Sequence, residues 1–310
     1  MARSYRYFHY DVFTDHLFGG NQLAVFLDGR GLPPDTMQAI AKEMNFSETT
    51  FVLPPETAGT DVRMRIFTPG EELPLAGHPT IGSTFALVRA GVIAAGRERF
   101  VFGLGVGPVP VSLTWTGDDL RFVWMTQPNP TFGDPIADPS GAAAALSLAP
   151  AAVAGTALPV QVVSCGVPFL FVPLTTRSAV DGASVNRDAL DRLLRSANTR
   201  AHGVFVFSAQ PSGDRTDRST VYSRMFAPDI GVSEDPATGV ASGPLGCYLV
   251  RHKVVPPEKA GAMLSLQGVK MGRPSHVHIS IGLGTGGKGE IASVRVGGES
   301  VLAGEGTLYL

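Results

Sequence analysis

Two polar residues, His78 and Asp235, stand in the same local context 157 positions apart (235 − 78), and chemistry is to be sought there first. His78 heads H-P-T-I-G and Asp235 heads D-P-A-T-G, so each is followed by Pro, two further residues and Gly, and each opens onto an apolar run. Pro suits the first helical position, because its missing N–H is not needed there and its fixed φ matches the helix. The spacing therefore predicts two helix starts, with His78 and Asp235 at or next to the N-cap and Pro79 and Pro236 at N1. Unpaired backbone N–H groups and the positive end of the helix dipole favour a carboxylate or a developing enolate at such a start. The same field disfavours an imidazolium, so His78 is placed to stay neutral and donate a hydrogen bond. Taken alone, Asp-Pro at a helix start is an ordinary cap. The recurrence with a His in the other copy is what points to function.

The elements that must position these residues are themselves repeated. Arg65, Phe67 and Pro69 match Arg224, Phe226 and Pro228 at an offset of 159 (224 − 65), and the loss of two residues in the second copy brings the offset to 157, so the chain reads as a duplicated unit of about half its length. Aromatic and β-branched runs predict strands over 5–13 and 23–27, with Gly19-Gly20-Asn21 as the turn between them. Met37, Ile40, Ala41 and Met44 recur at helical spacing after Pro33-Pro34, strands follow at 51–53 and 62–67, and residues 78–92 form a helix with no polar face, ended at Gly91. The second half repeats this order: strands at 160–164 and 169–174, a helix capped by Asn186 with Leu190, Leu193 and Leu194 on one face, strands at 204–207 and 220–226, then the second apolar helix. Further strands are predicted at 100–102, 109–114, 120–124, 277–281, 291–296 and 307–310.

A helix that is apolar all round must be covered on every side. The expected fold is therefore α+β, with two pseudo-symmetric lobes, each a curved, mostly antiparallel sheet wrapped around a central apolar helix. The Pro-, Ala-, Gly- and Ser-rich stretch 128–159 reads as a linker, with a helical turn or two at 142–148. That places an N-terminal lobe over 1–127, joined by the last strand at about 300–310, and a C-terminal lobe over 128–299. If the halves face each other across a cleft, both helix starts point into it.

Composition narrows the classes of function. Lys plus Arg number 25 against 27 Asp plus Glu, so no excess positive charge is available for a nucleic acid partner. The two cysteines, Cys165 and Cys247, cannot build a disulfide framework or a four-thiolate zinc site, and they suit a reducing, cytoplasmic setting. No stretch is apolar for long enough to suggest a membrane span.

Glu48, in N-F-S-E-T-T-F-V, would pass by itself for a surface carboxylate where the first helix gives way to a strand. The second-half counterparts are Ala201 and His202, with no acid, so the duplicated frame is chemically asymmetric. The stretches F-G-G-N-Q-L-A-V-F, M-N-F-S-E-T-T-F-V, P-L-A-G-H-P-T-I-G-S, E-D-P-A-T-G and Q-G-x-x-M-G-R-P-S occur in order over nearly the whole chain. In them the sequence resembles the phenazine-biosynthesis isomerase (PhzF-like) family, of the diaminopimelate-epimerase-like fold.

The resemblance implies a cofactor-independent isomerase that moves a proton within trans-2,3-dihydro-3-hydroxyanthranilate or a similar small carboxylate. Glu48 would be the acid/base, with His78 and Asp235 binding polar groups of the substrate and aiding the proton movement. It also implies that Gly77, Gly239 and Gln267 line the ligand site and that the protein is a homodimer. The family pattern continues D-P-A-T-G with a small hydroxyl residue where this chain has Val240, and Ser242 stands two residues on. In the related epimerases and proline racemases a cysteine pair transfers the proton, whereas Cys165 and Cys247 lie away from the matched helix starts and read as buried apolar residues.

Two alternatives stay open at this stage: a non-catalytic metabolite-binding or protein-partner module on the same fold, and an amino- or imino-acid epimerase using carboxyl and imidazole groups. Three weaker signals carry structural readings. G-L-G-T-G-G-K-G at 282–289 is a hairpin turn rather than a phosphate loop, since no helix follows it. His276 and His278 lack a third metal ligand nearby, so no metal is expected. Arg65 and Arg224, inside strands, are candidates either for binding a carboxylate or for ion pairs within the fold.

Overall fold

The computed structural model describes residues 3–228, 232–284 and 290–310. The chain divides into two compact units, one of Met1–Thr126, Gly272–His276 and Arg295–Leu310, the other of Gln127–Met271 and Val277–Val294. The first begins with β1 (Ser4–Val12), β2 (Asn21–Phe26), α1 (Pro34–Met44), β3 (Glu48–Leu53), β4 (Val62–Phe67), β5 (Glu72–Leu73) and α2 (Gly77–Arg89), then β6 (Arg99–Leu104), β7 (Gly107–Thr116) and β8 (Asp119–Gln127). The chain continues through β9 (Thr131–Ile136), α3 (Pro139–Ala145), α4 (Ala151–Ala154), β10 (Val160–Ser164), β11 (Pro168–Pro173), α5 (Arg177–Gly182) and α6 (Arg187–Ser196). After these come β12 (Gly203–Ser208), β13 (Val221–Ala227), β14 (Val232–Asp235), α7 (Gly239–Arg251), β15 (Met263–Gln267), β16 (Ser275–Leu283), β17 (Ile291–Gly298) and β18 (Ser300–Tyr309).

Strand pairing repeats between the units. In the first, β1 is antiparallel to β18 and β2, β2 is parallel to β3, β3 is antiparallel to β4, and β4 is parallel to β6. In the second, β10 is antiparallel to β11, β11 is parallel to β12, β12 is antiparallel to β13, and β13 is parallel to β15. Parallel neighbours need a long crossover. The crossover from β4 to β6 carries α2, and that from β13 to β15 carries α7, which is why the two apolar helices are central. The α+β class expected from the sequence is the observed one.

Both central helices are wrapped. Ten of the thirteen residues of α2 are buried, and so are ten of the thirteen of α7. Helix α2 packs on β1, β2, β3 and β18, and α7 packs on β10 and β11. On the other side of the first sheet, α1 covers Phe26, Phe51 and Phe67, with Met37, Ile40 and Ala41 turned inward as their spacing predicts. Helix α2 ends at Arg89, and Gly91 just beyond it has φ +73°, the left-handed conformation that glycine adopts without a Cβ clash. Asn186 caps α6, its side chain accepting from the Ala189 N–H at 3.1 Å.

Three expectations are corrected. Residues 128–159 are not a linker: β9 pairs with β10, and Ala142, Ala143 and Ala145 of α3 are buried in one core cluster with Leu190 and Leu193 of α6. Small side chains let two helices approach closely, so an alanine-rich composition marks a contact here rather than a spacer. The helix starts are also not equivalent. Helix α2 begins at Gly77, which puts His78 second and Pro79 third, whereas α7 begins at Gly239, so Asp235 closes β14 four residues earlier (239 − 235). Third, the second half holds an extra short helix, α5, before α6. The turn expected at 282–289 falls partly on residues 285–289, which lie outside the described residues, as do residues 229–231 of the repeated stretch. No helix among the described residues is long and apolar enough to cross a membrane.

Arg65 and Arg224 turn out to be ion-paired within the fold. Arg65 reaches Glu72 at 2.7 and 2.6 Å, and Arg224 reaches Glu234 at 2.8 Å through both Nε and Nη2. Each pair ties the first strand of a hairpin to the second, and the Arg224 Nη1 also donates to the carbonyls of Val180, Asp181 and Ala183.

Glycine sets the distance between each central helix and its sheet. A Cβ at Gly82 would stand 2.6 Å from Val12 Cγ2 and 2.7 Å from Leu23 Cδ2, and one at Gly246 would stand 2.4 Å from Ile279 Cγ2. Overpacking of this kind costs about 1–3 kcal/mol. Gly82→Ala and Gly246→Ala are each expected to lower the free energy of unfolding by that amount, read from urea titration, while Gly91→Asn, at an exposed helix end, costs less. Equal stability of wild type and Gly82→Ala would show that α2 is not held against β1 and β2 as described.

Candidate active site

The alternation of β3 turns Glu48 and Thr50 toward α2. Thr50 Oγ1 lies 3.0 Å from Ser83 Oγ of that helix, which fixes the register of strand against helix. Two residues back along the strand, Glu48 Oε2 lies 3.0 Å from His78 Nε2. The side chains are 14% and 4% exposed, so the pair sits in a largely dry setting. On the other edge of the imidazole, Asn21 Nδ2 stands 3.2 Å from His78 Nδ1. Asn21 is the first residue of β2 and is 1% exposed.

Burial holds the His78 imidazole well below its ordinary value, at about 3, opposed by a backbone hydrogen bond at Gln22. His78 is therefore neutral across the physiological range. The residue preceding α2, Ala76, offers no side-chain cap, and the first turn carries no acidic residue. The N–H groups of Gly77 and His78 thus belong to the set that an α-helix cannot satisfy internally. A neutral imidazole, a carboxyl group and an uncapped helix start in one small volume suit a proton transfer that generates negative charge on oxygen.

The second unit builds a different knot from the matching residues. Asp235 is 6% exposed, and its Oδ2 accepts from Thr238 Oγ1 at 2.5 Å. Gln267, at the end of β15 and fully buried, accepts from the Thr238 N–H at 3.0 Å and donates from Nε2 to the Asp235 carbonyl at 2.8 Å and to Thr238 Oγ1 at 3.0 Å. The turn between β14 and α7 is thereby locked. Gly239 opens α7, and its carbonyl accepts from Gln127 Nε2 at 3.0 Å. Ser242 is buried, and its hydroxyl donates to the Thr238 carbonyl at 2.9 Å, so that group is engaged inside the helix. Val240 is half-buried and packs on the core of this unit.

Of the residues singled out from the sequence, Glu48, His78 and Gly77 fall together in the first unit, and Asp235, Gly239, Ser242 and Gln267 fall together in the second. Asn21 and Thr238 were missed. Asn21 carried a readable signal, since an Asn at the mouth of the apolar run Leu23–Phe26 has to be buried against something. Thr238 sat in plain view within D-P-A-T-G, but its hydroxyl partner depends on where α7 starts. His276 and His278 lie on β16, and among the described residues no group of three or more His, Cys, Asp or Glu is arranged to hold a metal ion.

A model of the phenazine biosynthesis-like protein family (PhzC-PhzF) matches residues 10–306 of the chain. The trans-2,3-dihydro-3-hydroxyanthranilate isomerase of Pseudomonas aeruginosa is 36% identical over 308 residues, which cover 99% of this chain and 100% of that protein. Among solved structures, the PhzF-family phenazine biosynthesis protein of Bacillus anthracis matches with a TM-score of 0.85 at 25% identity, over 99% of this chain and 100% of that one. A hydroxyproline epimerase from Agrobacterium vitis matches with a TM-score of 0.66 at 15% identity, over 99% and 93% of the two chains; at that identity the likeness is one of fold.

The His78 environment has a consequence for stability. An unfolded histidine takes up a proton near 6.5, whereas the folded His78 resists down to about 3. The unfolded state binds more protons between those values, so the His78 contribution is complete above 6.5 and is lost as pH falls toward 3. Urea midpoints measured at about pH 7 and about pH 5 should fall further for wild type than for His78→Asn. An equal fall in both proteins would mean that His78 is not held neutral by burial.

Proposed function

The chain belongs to the phenazine biosynthesis-like family and is an isomerase, and from that premise we propose that it moves a proton within trans-2,3-dihydro-3-hydroxyanthranilate or a closely similar cyclic carboxylate, with Glu48 as the acid/base. The observation that carries the reading is the buried contact of Glu48 Oε2 with His78 Nε2 at 3.0 Å beside the uncapped start of α2. A general base must exchange a proton with carbon and return it elsewhere, which calls for a carboxyl group partly removed from water and a neighbour that can donate to it. Glu48 is 14% exposed and faces a neutral imidazole, which supports that role.

In this reading Glu48 takes the proton from the sp³ carbon as the electron pair moves into the conjugated system, and it returns a proton at the far end of that system. Negative charge develops on the substrate carboxylate as the extended enolate forms. The N–H groups of Gly77 and His78 are suited to stabilise it. Asp235 accepts from the substrate amino or hydroxyl group; Thr238 holds its carboxylate in one orientation, and Gln267 holds Thr238. Gly239 leaves room for the ring, while Val240 presents an apolar side chain where the family pattern has a hydroxyl.

Proton NMR in D₂O with trans-2,3-dihydro-3-hydroxyanthranilate tests the proposal. Wild type is expected to erase the starting vinyl pattern and to place solvent deuterium on the carbon that is protonated. Glu48→Gln is expected to lose about a thousandfold in kcat, within the range typical of removing a general acid/base. Asp235→Asn is expected to act mainly on KM. Full activity of Glu48→Gln would remove Glu48 from the mechanism, and the absence of any change with wild type would discard this substrate in favour of other small carboxylates.

A further inference from the structure

The imidazole of His78 lies between two contacts that place different demands on its single proton. Nε2 faces the Glu48 carboxyl at 3.0 Å, and Nδ1 faces the Asn21 amide nitrogen at 3.2 Å. A neutral imidazole carries one N–H, so one ring nitrogen donates and the other accepts. An amide nitrogen can only donate, which makes Nδ1 the acceptor and puts the proton on Nε2. The Gln22 backbone competes for the ring by favouring an N–H on it.

The Glu48 side decides between the two. With the proton on Nε2, an N–H dipole lies beside the carboxyl oxygen at 3.0 Å, a favourable electrostatic contact short of a hydrogen bond that needs no charge on the imidazole. With the proton on Nδ1, two lone pairs would meet at 3.0 Å in a dry site unless Glu48 gave up its ionised form. We infer that Asn21 is a positioning residue that fixes His78 as the Nε2–H tautomer, so that a neutral N–H stands beside the Glu48 carboxyl group that accepts the proton from carbon.

This inference rests on the proposed role of Glu48 as the base, and it goes further by assigning the proton on its neighbour. The geometry of Asn21 gives it force. Asn21 is 1% exposed and is paired along the backbone with Val12, and the loop before it is tied down by Arg273, which donates to the Gly20 carbonyl at 2.8 Å and the Gly19 carbonyl at 2.6 Å. Arg273 also holds Asp11, itself 1% exposed, at 2.5 Å. The amide is therefore presented from a braced strand end rather than from a mobile loop. An arrangement in which one ring nitrogen is held by a further group while the other does the chemistry is a general way of setting a histidine tautomer.

Nε2 and Oε2 stand 3.0 Å apart without meeting as a hydrogen bond, so the Nε2–H remains available to a substrate oxygen, and the ring can donate to it without becoming charged.

Nitrogen-15 NMR of protein labelled at histidine reads the tautomer directly, without substrate. Wild type is expected to show Nε2 protonated and Nδ1 bare for the His78 ring, identified by its loss in His78→Asn. Asn21→Asp keeps the shape but offers only acceptors, and is expected to move the proton to Nδ1 and to reduce kcat at least tenfold with KM within threefold. Asn21→Leu, which neither donates nor accepts, is expected to give a mixture of tautomers and an intermediate rate. A wild-type ring protonated at Nδ1 would overturn the inference, and so would an Asn21→Asp ring that keeps its proton on Nε2. If Asn21→Asp does not fold, the wild-type spectrum alone decides. Because the tautomer is read without turnover, its failure is distinct from failure of the proposed isomerisation, which is read from substrate NMR with wild type.

Discussion

Each unit is built to solve one problem, which is to bury a helix that has no polar face. Ten of thirteen residues are buried in both α2 and α7, so neither helix can rest on a single sheet surface with its back to water. The crossover between parallel strands carries each helix across its sheet, and the repeated pairing of parallel and antiparallel neighbours follows from that requirement. The polar atoms that a buried helix inevitably carries are satisfied locally. Thr80 and Thr84 donate to the carbonyls four residues back at 2.8 Å, Ser242 does the same at 2.9 Å, and Tyr248 donates to the Pro159 carbonyl at 2.5 Å. With the sides of the helix sealed, its N-terminus is where unsatisfied backbone donors collect.

The duplicated frame lets the two helix starts diverge in chemistry while the scaffold stays the same. At α2 the helix runs through the histidine, so His78 is rigid and buried and faces a carboxyl group contributed by β3. At α7 the helix starts later, and the residues before it, Asp235 to Thr238, fold into a turn fastened by Gln267 through three hydrogen bonds. One start keeps its donors uncapped beside a neutral imidazole. The other spends its polar groups on fixing a carboxylate in place.

Much of this was legible in the sequence because duplication doubles the signal. The matches of Arg65, Phe67 and Pro69 with Arg224, Phe226 and Pro228, and of His78 with Asp235, located both hairpins and both central helices, and the absence of an acid opposite Glu48 marked the asymmetry. The exact helix starts were not legible, since they depend on the long-range hold of Gln267 on Thr238, 29 residues away in sequence (267 − 238). The misreading of 128–159 has a similar cause. Ala142 and Ala143 look like spacer residues until α6 is packed against them, and their value lies in what they leave room for. What Asn21 is buried against was hidden for the opposite reason: its partner, His78, is 57 residues on, and nothing in the local pattern names it.

Burial also decides what the two cysteines can do. The cysteines are next to each other, with Cys165 Sγ 4.0 Å from Cys247 Sγ, and they lie in the apolar core of the second unit at 2% and 0% exposure. The neighbouring Cys165 thiol and then burial push the Cys247 thiol far up, so no thiolate is available there at physiological pH. The same desolvation acts on His78 with the opposite result, because for an imidazole the neutral form is the useful one: it is a donor that needs no counter-charge. On this fold, then, the two thiols are core residues of the second unit, whereas His78 stands in the first turn of α2 and Asp235 at the end of β14.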